Sequence, residues 1–120
     1  MRKVERGVLY FPGELGAAVK VIPADGRKFT YKEQRAAVDG LIESVIPAVR
    51  GHRVWANEEG LVFGLQENYR TAKVANMKIY ALNGCPKDWK LCGRILETFV
   101  QEASSTDDAD HVTISQAVRS

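Results

Sequence analysis

Residues 30–47 read TYKEQRAAVDGLIESVIP, and the reading of this stretch decides the fold. Thr30 and Glu33 have the spacing of a capping box, in which each side chain satisfies a backbone N–H at the helix start. Val38, Leu41, Ile42 and Val45 follow at i, i+3, i+4 and i+7, one face of an amphipathic helix. Lys32, Arg35, Asp39 and Glu43 fall mostly elsewhere on the wheel. Gly40 interrupts the pattern at a cost of about 1 kcal/mol relative to alanine, and an interior glycine of this kind marks close packing against a sheet. Pro47 stops the helix near Val45 or Ile46. The expectation is one main helix over about Thr30 to Val45, with Leu41 and Ile42 turned into the core.

The flanking segments read as short strands. Val8 to Phe11 is an apolar run closed by Pro12-Gly13, and Ala17 to Ile22 partly alternates before Pro23. Asp25-Gly26 is a strong turn signal. Together these predict two strands, paired as a hairpin with a long connection. Arg53 to Ala56 and Leu61 to Leu65 are strand-sized and separated by the polar turn Asn57-Glu58-Glu59-Gly60. A short helix is expected over Tyr69 to Ala75, and Met77 to Leu82 alternates with period two up to Asn83-Gly84. Arg94 to Phe99 favours a strand through its β-branched and aromatic content, with a helix over Trp89 to Glu102 as the alternative. The fold class expected is α+β: a small, mostly antiparallel sheet with the main helix packed on one face.

The chain has 120 residues, enough for one core. Residues 1–103 are expected to form that domain. SSTDDAD at 104–110 reads as an acidic linker before a short C-terminal segment that adds nothing to the core. Seventeen Lys+Arg against fifteen Asp+Glu give +2, which calls for no nucleic acid but leaves room for a local basic patch. No apolar run has membrane-spanning length, and MRKVERGVLY lacks the sustained apolar stretch of a secretory signal. With only two cysteines, the expected compartment is the reducing cytoplasm.

The segment NEEGLVFGLQEN at 57–68 carries a motif. Asn57, Glu58, Glu59, Gly60, Gly64, Leu65 and Asn68 fit a pattern N-E-E-G-x-x-x-G-L-x-x-N, with Ala72 further on. It resembles the family of short proteins catalogued as domain of unknown function 3846, frequent in phages, plasmids and actinobacterial genomes. That family carries no established activity, so the resemblance implies a fold and a mobile-element setting rather than a chemistry. Physically, Gly60 and Gly64 suit a tight loop. The loop's asparagines and carboxylates, with Arg70, supply donors and acceptors in a small space. The plainer reading is a turn that needs those residues only to fold.

Catalytic and metal patterns are thin. Cys85 and Cys92 lack zinc-ligand spacing, and His52 and His111 stand far apart. No phosphate-loop or dinucleotide motif occurs. No metal and no cofactor is expected. Basic residues gather at Arg50, His52 and Arg53 before Trp55, and at Lys87 and Lys90 around Trp89. Arginine beside an exposed aromatic suits a base or an anionic ligand, whereas a core Trp55 with solvated arginines is the plainer account.

The sequence therefore favours a non-enzymatic binding protein of a phage or mobile element. It would sequester or inhibit a host protein or a small anionic ligand such as a nucleotide. A nucleic-acid-binding accessory protein is the first alternative, and a small enzyme using Glu58 or Glu59 is the second. The expected binding residues are Asn57, Glu58, Glu59, Gly60, Gly64, Asn68, Arg70 and Trp89; no membrane is involved, and a homo-oligomer stays open.

Overall fold

KVERGVLY forms the first strand, its successive side chains pointing to opposite faces of the sheet. In the computed structural model, which describes residues 2–12, 18–45, 52–57, 93–103 and 109–119, this is β1, Lys3–Tyr10. It is followed by β2 (Ala18–Ile22), α1 (Tyr31–Val38), β3 (Ile42–Val45) and β4 (His52–Asn57). Then come β5 (Ile95–Glu102), β6 (Val112–Thr113) and a six-residue helix α2 (Ile114–Arg119). The strands form one sheet in the order β3-β4-β5-β1-β2-β6. Every neighbouring pair is antiparallel except β2 and β6, which run parallel. The α+β class, the mostly antiparallel sheet and the helix packed on one face are as expected.

Residues paired across the ladder share a face. Leu9 lies opposite Leu96, and Leu96 opposite Trp55. Gly7 lies opposite Thr98, and Thr98 opposite Arg53. One end of this face is the core: Leu9, Val21 and Leu96 pack with Phe29, with Ala37 of α1 and with Ile114 and Ala117 of α2. Each large aliphatic side chain buried there contributes roughly 1.5 to 3 kcal/mol. Gly7 is required by proximity. A Cβ at that position would lie 2.8 Å from the Glu97 carbonyl oxygen and 3.4 Å from both Leu96 and Phe29.

The capping box forms as the sequence predicts. Glu33 N–H donates to Thr30 Oγ1 at 3.1 Å, and Thr30 N–H donates to Glu33 Oε1 at 2.9 Å. The far end of the helix is a correction. α1 stops at Val38, and Ile42–Val45 is an edge strand instead of two further turns. Asp39 takes the left-handed conformation, with φ 59°. Its N–H bonds Ala36 O, while Gly40 N–H bonds Arg35 O, the paired bonds of a Schellman ending. The Asn57 amide donates to Val38 O and to Asp39 O, each at 3.2 Å. Arg94 Nη2 adds a donor to Ala36 O at 3.0 Å. So many partners for the last carbonyls fix the stop. Leu41 is consequently 43% exposed, not core.

A second correction concerns the C-terminal segment. Val112 and Thr113 extend the sheet beside Val21 and Ile22, and Ile114 and Ala117 are buried in the core. The apolar alternation of HVTI is an edge strand that runs into the start of α2, whose Ile114 is core. Lys20 Nζ bonds Asp110 Oδ2 at 3.0 Å and ties β2 to the turn that delivers β6.

A candidate anion-binding groove

Beyond α1 the same sheet face continues, and among the described residues no helix lies over it. Arg53 and Trp55 of β4, Val100 of β5 and Glu5 of β1 point to this side, as their registers require. Arg2 and Lys3 at the start of β1, the connection carrying Arg27 and Lys28, and Gln34 of α1 complete a groove of about 570 Å³. That volume falls in the range of small-molecule sites. Five cationic side chains line it against one carboxylate, Glu5. All five are exposed, and among the described residues none of them forms an ion pair.

Two carboxylates hold the wall that carries Arg27 and Lys28. Asp25 Oδ1 accepts from Arg27 N–H at 2.8 Å and from Lys28 N–H at 3.0 Å, the self-bonding habit of aspartate in turns. These bonds, from Lys28 foremost and then Arg27, hold the Asp25 carboxyl below its ordinary pKa. Glu5 Oε1 accepts from Phe29 N–H at 2.9 Å, and Glu5 N–H donates to Arg27 O at 2.7 Å. Both carboxylates thus act on backbone, while Glu102, paired with Lys3 in the ladder, stands on the same face at the end of β5. Gly26, with φ 76°, gives the turn its bend, and its N–H bonds Pro23 O at 3.0 Å.

The floor is apolar. Trp55 is half-buried at the edge of the core, and its Nε1 donates to the buried Thr98 Oγ1 at 3.1 Å. That bond satisfies the indole's polar atom and fixes the ring. Val100, two residues from the end of β5 and beyond its last pair with β4, is 56% exposed.

The residues expected from the sequence fare differently. Asn57 ends β4 and is buried, with its amide spent on the carbonyls that close α1. Glu58, Glu59, Gly60, Gly64, Asn68, Arg70 and Trp89 lie outside the described residues, as do the loop and short helix expected there, Cys85 and Cys92. Of the basic clusters, Arg53 and Trp55 stand in the groove. Arg50, Lys87 and Lys90 fall outside the described residues. Arg2, Lys3, Arg27, Lys28 and Val100 escaped sequence reasoning, because only the antiparallel register brings them beside Arg53. The sole local signal was the turn at Asp25-Gly26, which places two cations on its far side.

Among the described residues no group of three His, Cys, Asp or Glu side chains could hold a metal ion. His111 Nδ1 lies 3.1 Å from Asp110 Oδ1, at the β6 edge of the sheet. Among the described residues no helix is long and apolar enough to cross a membrane. No family model matches the chain, and neither a curated protein nor a solved structure matches it.

Proposed function

We propose that this protein is a non-enzymatic binding protein for a small phosphate-bearing anion, held in the groove between β1, β4, β5 and the turn before α1. One observation carries the reading. Five exposed cations converge on a single concavity, while the neighbouring carboxylates of Glu5 and Asp25 are engaged by backbone N–H groups. A chain with a net charge of only +2 has concentrated its excess there. Arginine forks and lysine ammonium groups match phosphate oxygens in geometry and charge. The likeness of the segment 57–68 to a phage and plasmid family adds a setting, a mobile element that sequesters a small anionic ligand of its host.

Isothermal titration with inorganic tripolyphosphate tests this reading. Binding is expected at low ionic strength, and it should weaken as salt shortens the Debye length to about 10 Å at 0.1 M. The double variant Arg27→Ala/Arg53→Ala should lose roughly tenfold or more in affinity at unchanged melting temperature, since hydrogen bonds to charged groups contribute about 1.5 to 3 kcal/mol each. Equal affinity in the double variant would refute the groove as the site.

A further inference from the structure

The cations account for a phosphate, but they do not account for the floor. A bare polyphosphate gains nothing from an exposed valine or from an indole whose N–H is already bonded. The groove juxtaposes Trp55 and Val100 on one sheet face with Arg53 between them in register, opposite Thr98 and diagonal to Val100. On the far wall stand Arg27 and Lys28, fixed by Asp25. The ligand that suits this mixture carries an anionic group beside a flat, apolar one.

Resting on the phosphate reading above, we infer that the groove takes an unpaired nucleotide, with its base over Trp55 and the Arg53 guanidinium toward Val100 and its phosphates on Arg27 and Lys28. A base presents a π-face to an indole and to a guanidinium plane alike. Its polar edge then points along the groove to solvent or to Gln34. A lipid chain is a poorer match, since it needs a deep apolar cleft, and the walls here are charged. A base inside a duplex is excluded by geometry: its faces are stacked on neighbours, so it cannot lie on a sheet surface. A free nucleotide and a single strand share the chemistry, and the experiment separates them.

Affinities are measured by calorimetry for four probes: tripolyphosphate, deoxythymidine triphosphate, an oligothymidylate of about twelve residues, and a duplex of the same length. The first two share a three-phosphate chain, and tripolyphosphate carries the higher charge, so a gain by the nucleotide comes from the nucleoside and requires no variant. Deoxythymidine triphosphate is expected to bind roughly 5- to 150-fold tighter than tripolyphosphate, the span of one base stacked on an aromatic side chain. Val100→Asn, at an exposed position, should narrow that ratio by at least about threefold; an unchanged ratio would count against the floor. An oligothymidylate tighter than the triphosphate assigns a single strand as the ligand, and the reverse assigns a free nucleotide. Equal affinity for triphosphate nucleotide and tripolyphosphate overturns the inference and leaves the phosphate reading standing. A duplex bound as tightly as the single strand overturns it as well. Failure of all four probes to bind overturns both.

Discussion

Gly7 shows how little room a single position in this sheet allows. Its hypothetical Cβ meets a backbone oxygen, Glu97 O, at 2.8 Å, and backbone cannot move aside as a flexible side chain can. Gly7→Ala should therefore cost about 1 to 3 kcal/mol in chemical denaturation, although alanine suits a strand better than glycine does. A neutral or stabilising outcome would mean that β1 and β5 sit farther apart. Asp25 is the residue on which the groove wall depends. Its carboxyl is lowered by the Lys28 and Arg27 amides, so its contribution to stability is present above the ordinary aspartate range and is lost as pH falls through the lowered value. The stability difference between the native chain and Asp25→Ala should thus be level near neutral pH and shrink toward zero in acid. A difference that grew on acidification would contradict the assignment. Neither residue's role was legible from sequence. Gly7 stood just before the apolar run Val8 to Phe11, and Asp25 looked like half of a turn signal, because the partners that give each its role come from elsewhere in the fold.

The helix at Tyr31–Val38 was half legible, for a physical reason. Its start is encoded locally, by Thr30 and Glu33 bonding to each other's backbone. Its end is decided by tertiary partners, Asn57 and Arg94, that lie far along the chain. Apolar residues at 38, 41, 42 and 45 mimic a helical face, yet Ile42–Val45 pairs with β4 as a strand. The Asp39-Gly40 dipeptide was the usable stop signal, and reading Gly40 as a packing glycine passed over it. Val38→Ala should cost roughly 2 kcal/mol, since its side chain is fully buried, whereas Leu41→Ala should cost under about 1 kcal/mol. Urea denaturation of the two variants decides the matter, and equal losses would restore the longer helix. For Arg94, which donates to Ala36 O near the end of α1 and to Val118 O in α2 at 3.5 Å, replacement by alanine frees carbonyls at both helices.

Over the whole molecule, the class of fold followed from local patterns, but the site did not. Arg2, Lys3, Arg27, Lys28 and Arg53 are scattered through the first half of the chain, and only the antiparallel order β4-β5-β1 gathers them. A net charge near neutrality concealed this, because charge counts carry no positions. The same order places the C-terminal β6 and α2 against β2 and the core, so truncation after Ala103 removes Ile114 and Ala117 from the packed cluster. That truncation should lower the melting temperature sharply or abolish cooperative melting; a domain that melts as the full chain does would show that α2 contributes nothing.

The claim that the molecule is built to hold an anion on one sheet face can be tested residue by residue. Uniformly nitrogen-labelled protein is titrated with tripolyphosphate at low salt, and backbone amide shifts are followed by two-dimensional NMR. The groove predicts saturable shifts gathered at Arg2–Glu5, Arg27–Phe29 and Arg53–Trp55, with β2, β6 and α2 unmoved. Shifts centred on those distant elements, or spread evenly over the surface without saturation, would contradict it.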